Sequence, residues 1–168
     1  MAGEADAGGS PFWRFSLGFY RKPGVAEACI ALQDACGVDV NLLLFLLWQA
    51  SLSRRLHADD VTELRARTRA WNQEVIVPLR ALRRELKSGS ALIEGGAAEA
   101  FRTRVKGLEL EAERLQQQAM FDLAPAVPGV PAASVEDAAA ANVSALEAVM
   151  GASFPHATTR VLLAALVR

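Results

Sequence analysis

Sulfur, imidazole and aromatic side chains are all scarce in this chain: two cysteines, two histidines and one tyrosine in 168 residues, with aromatics at only 7%. A disulfide-stapled scaffold is not expected, because Cys29 and Cys36 stand seven positions apart in a helical stretch, about 10 Å along its axis and out of reach of a bridge. They read as free thiols on one inward stripe. His57 and His156 lie far apart, and neither has further ligands at metal spacing, so no metal site is expected. Charge of one sign is missing too: 18 basic side chains against 19 acidic ones leave a net charge of −1, which gives no bulk attraction to nucleic acid or a membrane surface. The longest apolar run, residues 40–48, falls well short of the ~20 residues that cross a bilayer. The opening MAGEADAGGS has neither the basic start nor the apolar stretch of a secretion signal. The expected location is therefore cytoplasmic, with residues 1–10 a flexible tail and residues 11–168 a single helical domain.

What is present is alanine and aliphatic side chain at helical spacing. Apolar residues make up 52% of the chain, enough for a buried core, while β-branched runs of period two are missing. The fold class expected is all-α, a bundle of six or seven helices. Ser10 before Pro11 marks a helix start. Pro23 and Gly24 break that helix, and Val25, Cys29, Leu32 and Cys36 form the inward stripe of the next, which Gly37 is placed to end in a left-handed conformation. Asp39 can cap the helix that follows. That helix, over about 40–56, is apolar nearly all round and must be central.

Asp59 and Asp60 open the longest segment. Its apolar positions Val61, Leu64, Thr68, Trp71, Val75, Leu79, Leu82 and Leu86 step by 3, 4, 3, 4, 4, 3 and 4, a heptad-like seam with one stutter. Pro78 stands beside the stutter and predicts a kink. After a reversal over residues 88–96, a second seam steps through Phe101, Val105, Leu108, Ala112, Leu115 and Ala119. The two seams predict a long antiparallel hairpin, about 60–87 against 97–121. Residues 123–133 hold Pro125, Pro128, Gly129 and Pro131 and read as a mobile surface linker. Ser134 then starts one helix and Pro155 a last one.

The segments FWRFSLGFY, PGV, ACIALQD and GVDVNLLLFLLW fall between residues 12 and 48. In this pattern the chain resembles a family of small bacterial all-helical proteins known as a conserved domain of unknown function. The charged middle looks similar as well, and the alanine-rich C-terminal quarter only loosely so. The resemblance implies a helical fold and carries no reaction, cofactor or catalytic residue onto these positions.

The residues themselves point to binding. Gly95-Gly96 lacks the preceding strand and the lysine-serine pair of a phosphate loop, and no serine sits in a nucleophile elbow. The expectation is a non-enzymatic interaction or adaptor protein without cofactor, acting on a protein partner or on itself as a homodimer through the hairpin. Two other readings stand beside it. Residues 54–87 hold nine basic and five acidic side chains, and Arg65, Arg69, Arg80, Arg83, Arg84 and Lys87 would form a basic ridge for nucleic acid, partly neutralised by Glu109, Glu111 and Glu113. Alternatively, Trp13, Tyr20, Gln33, Asp39, Asn41 and Trp48 would surround a pocket for a small apolar ligand between the first three helices.

Overall fold

The computed structural model describes residues 9–168. Of the tail expected over residues 1–10, all but the last two lie outside the described residues. Ser10 caps α1 (Pro11–Tyr20), its hydroxyl accepting the Trp13 amide at 3.2 Å. The elements that follow are α2 (Val25–Cys36), α3 (Val40–Ser51), β1 (Arg54–Arg55), α4 (Ala58–Trp71), a π-helical turn (Asn72–Ile76), α5 (Val77–Glu85), α6 (Gly95–Leu123), β2 (Val130–Pro131), α7 (Val135–Met150) and α8 (His156–Val167). The fold is all-α. With α4, the π turn and α5 taken as one rod, seven helical rods pack together among the described residues.

α3 is the centre, as its composition demands: residues 41–50 are all buried. It ends at Ser51 rather than near Leu56, because Ser53 turns to a positive φ of 54° and the chain enters β1. One side of α3 builds an aromatic cluster. The Phe12 ring meets Phe45 edge-on at 5.3 Å and stacks on Trp48 at 5.4 Å, and Trp48 in turn lies 5.7 Å from Phe121 of α6. Trp48 thus belongs to the core between α1, α3 and α6 and not to a ligand pocket. On the other side, fully buried Asn142 of α7 has both ends of its amide paired. Its Nδ2 donates to the Leu46 and Arg54 carbonyls, both at 3.0 Å, and its Oδ1 accepts from the Leu56 amide at 2.8 Å.

The proline-rich stretch is not a free linker. α6 runs through to Leu123, and β2 then pairs antiparallel with β1, Arg54 opposite Pro131 and Arg55 opposite Val130. The Ala132 amide donates to Ser53 O at 2.9 Å. Gly129 is required here: its φ is +64°, and a Cβ would stand 2.7 Å from the Arg55 carbonyl.

The hairpin of α4–α5 against α6 forms, with two departures from the sequence reading. The stutter beside Pro78 becomes a π turn, with the Val77 amide reaching back five residues to Asn72 O. This extra residue rotates the inward face, so Asn72 and Ile76 are buried while Trp71, expected inside, is exposed and spans the seam by donating Nε1 to the Ala112 carbonyl at 3.0 Å. On α6, Val105 and Ala112 face inward as expected, but Phe101, Leu108 and Leu115 are about half exposed. Glu109, Gln116 and Gln117 are buried instead. The reversal is also shorter, since Glu94 caps α6 by accepting the Gly96 and Ala97 amides, which places Gly95-Gly96 in the first helical turn.

Two buried amides make opposite contributions. Asn142→Ala is expected to lower unfolding free energy by about 3 kcal/mol, since it removes three buried hydrogen bonds and leaves the Leu56 amide without its partner. Gln49 is fully buried with neither end of its amide paired, so Gln49→Met is expected to raise stability by about 1 kcal/mol. Urea melts of the two variants check both signs, and a stable Asn142→Ala protein would show that α7 docks without this pin.

Candidate functional site

The junction of α2 and α3 meets α6 through a chain of polar contacts. Gly37 ends α2 with φ +67°, and Asp39 then caps α3, its Oδ1 accepting the Asn41 amide at 2.9 Å and the Leu42 amide at 3.4 Å. Its second oxygen is also used. Gln116 Nε2 of α6 donates to Asp39 Oδ2 at 2.8 Å, while Gln116 Oε1 accepts from Asn41 Nδ2 at 2.7 Å. Gln117 Nε2 donates to Asn41 Oδ1 at 2.9 Å, and there the chain stops: Gln117 Oε1 is buried and has no partner. Burial raises the Asp39 carboxyl above its ordinary value, against the opposing pull of Gln116 and the two backbone amides.

One and two turns earlier, α6 turns two carboxylates toward α5. Glu109 accepts from Arg80 Nε at 3.1 Å and from both Nε and Nη2 of Arg83, and Glu113 accepts from Arg80 Nη2 at 2.9 Å. The Glu109 side chain is only 8% exposed, so this is a shielded ion cluster and not a solvated surface pair. Burial outweighs the attraction of Arg80 at Glu113 and leaves its carboxyl raised, with Glu109 adding like-charge repulsion. Arg83, in contrast, is held more firmly protonated by its bond to Glu109.

Between these two polar systems and α1 opens a cleft of about 550 Å³. Trp13, Ser16, Leu17 and Tyr20 of α1 form one wall, Gln33 of α2 and Asn41 and Leu44 of α3 form the floor, and the α5–α6 ion cluster closes the far side. Of the residues expected to surround a pocket, Trp13, Tyr20, Gln33 and Asn41 line this cleft. Trp48 does not, being spent in the aromatic cluster, and the Asp39 carboxylate is occupied in the clamp behind Asn41. The lining joins apolar side chains such as Trp13, Ile30, Val40 and Leu44 to the polar and charged groups of α5 and α6.

The basic residues do not form one ridge. Arg80 and Arg83 turn into the hairpin against Glu109 and Glu113, whereas Arg84 pairs at the surface with Asp34 at 3.1 Å. Arg65 is partly buried on α4, and Arg69 and Lys87 are exposed at separate places. Of the three glutamates expected to neutralise them, Glu109 and Glu113 do so and Glu111 faces outward. Gln116 and Gln117 were missed by the sequence reading. The available signal was their register: Glu109 and Gln116 repeat at seven residues, one position after the Leu108 and Leu115 column.

The two cysteines stand apart from this cleft's lining. Both are free, and burial pushes the Cys29 thiol up to about 12, far from a reactive thiolate. Among the described residues, no group of three or more histidine, cysteine, aspartate or glutamate side chains is placed to hold a metal ion, and no helix is long and apolar enough to cross a membrane.

The raised Glu113 carboxyl has a pH signature. Its folded-state value lies above 4.5, so between 4.5 and that value the folded protein binds more protons than the unfolded chain. Stability from this group is therefore complete below 4.5 and lost as pH rises. The difference in unfolding free energy, wild type minus Glu113→Gln, is expected to shrink as pH rises from 4.5 toward 7. Denaturant melts at stepped pH measure it, and a difference that grows with pH would mean that Arg80 dominates.

No curated protein and no solved structure matches the chain. Residues 11–120, which contain every element that builds the clamp and the cleft, match the family described as protein of unknown function (DUF2390). On that match, covering well over half of its length, the chain belongs to that family.

Proposed function

We propose that this protein works by binding and not by catalysis, as an interaction protein that associates with a second copy of itself through α6. The reading rests on one observation: the rotation that brings Glu109 and Gln116 inside leaves Phe101, Leu108 and Leu115 exposed by 45%, 53% and 49%, at intervals of seven residues along one stripe. Large side chains repeating in this way on a helix form the seam of a helix pair. Within the hairpin that seam is already satisfied by other residues, so the stripe is free for a partner.

Charge selects the partner. Arg104, whose guanidinium lies 5.6 Å from the Phe101 ring centre, and Glu111 are both exposed and flank Leu108 on the same stripe. An antiparallel copy arranged about a twofold axis at Leu108 sets Phe101 against Leu115 and Arg104 beside Glu111, at both ends at once. Three half-exposed side chains and these pairs fall short of the ~800 Å² per partner of a tight complex, so the association is weak and reversible.

Sedimentation velocity across a concentration series tests this. The wild type is expected to move from monomer to dimer, and Leu108→Glu to stay monomeric with unchanged helix content. Arg104→Glu is expected to weaken the dimer and Arg104→Glu combined with Glu111→Arg to restore it. A wild type that remains monomeric throughout, or a dimer indifferent to Leu108, overturns the proposal.

A further inference from the structure

We infer that the cleft between α1 and the α5–α6 hairpin is a binding site for a small organic anion with an apolar body and a hydrogen-bond donor at its inner end. Its volume, about 550 Å³, lies in the range of sites that enclose small molecules. A second hollow, about 740 Å³ between the α1–α2 turn and α8, is lined largely by small side chains such as Gly24, Ala157 and Ala164 and presents no unpaired buried polar group. The α1 cleft presents two. Ser16 Oγ and Gln117 Oε1 are both shielded from water and both without a partner, and both residues line this cleft from opposite helices, α1 and α6.

A buried acceptor left unpaired costs about 1–3 kcal/mol, which a donor entering the site recovers. Gln117 Oε1 is moreover the open end of the hydrogen-bond chain that begins at Asp39, so a bound N–H or O–H completes that chain. This fixes the polarity of the inner end of the ligand. Trp13 and Leu44 offer apolar surface for its body.

The charge at the outer end follows from which cations are spent. Arg80 and Arg83 are held by Glu109 and Glu113, and Arg84 is held by Asp34. Lys106 lines the same cleft and makes no ion pair among the described residues. It is an exposed ammonium one turn from Glu109, with three donors for a carboxylate, sulfonate or phosphate. Self-association does not involve this site: at 100° per residue, Lys106 and Leu110 lie about 160° around α6 from Leu108.

The probe is 1-anilinonaphthalene-8-sulfonate, which carries an aromatic body, one N–H donor and one anionic group. Titration of the full chain, read by probe emission and by energy transfer from tryptophan, is expected to give saturable one-site binding. Lys106→Glu, a surface change, is expected to weaken it about tenfold. Ser16→Ala is expected to weaken binding severalfold while leaving the melting temperature equal or higher, since it deletes an unpaired buried hydroxyl. Leu108→Glu is expected to leave binding unchanged. Non-saturable binding, equal affinity in Lys106→Glu and Ser16→Ala, or loss in Leu108→Glu would each overturn the inference, the last by placing the probe on the apolar stripe.

Discussion

Asp39 is the point on which the rest of the structure depends. Its carboxylate has two tasks, one for each oxygen: Oδ1 closes the amino end of α3, and Oδ2 receives Gln116 from a helix 77 residues away in sequence. Capping alone would position α3 relative to its own backbone and nothing else. The second oxygen, with the reciprocal Gln116–Asn41 and Gln117–Asn41 bonds, fixes the rotation of α6 against α3. Hydrogen bonds to a charged acceptor in a shielded place are each worth roughly 1.5–3 kcal/mol, more than the burial of one half-exposed leucine. That comparison explains why α6 turns glutamine inward and leaves Leu108 and Leu115 at the surface.

The rotation has two consequences on opposite flanks of one helix. On the inward flank, Glu109 and Glu113 meet Arg80 and Arg83, and the ion cluster forms one side of the cleft. On the outward flank, the large apolar side chains that would have filled the hairpin are exposed. Both features proposed as functional, the stripe and the cleft, arise from the same choice of register. All of these groups lie within residues 11–120, the segment that matches the family, whereas α7 and α8 close the far side of the core.

Much of this was legible from local chemistry. The all-round apolar run over residues 40–48 can only be a central helix, and Ser10, Gly37, Asp39 and Ser134 act at the helix ends their types suggest. The two long helices and their antiparallel packing follow from seams that repeat every three or four residues. The phase of α6 was not legible, and the reason is specific. Ala98, Val105 and Ala112 are common to both possible faces, and the choice between Leu108/Leu115 and Glu109/Gln116 as the second column is made by Asp39, Asn41, Arg80 and Arg83. Apolar spacing favours the first column, and distant polar partners decide for the second. The π turn was half legible: Pro78 marks where the helix must be irregular, but a single inserted residue turns Trp71 outward and Asn72 inward. Trp48 was placed in a pocket because it is aromatic and near α1, and the stacking of Phe12 on it is a tertiary fact that spacing does not encode.

The claim that this clamp sets the rotation of α6 is tested most directly by a double-mutant cycle between Asp39 and Gln116, each replaced by alanine singly and together, with unfolding free energies from urea melts. A coupling energy of about 1–2 kcal/mol is expected, because each substitution removes the partner of the other. Additive losses, with no coupling beyond error, would show that Asp39 serves α3 alone and that something else turns α6.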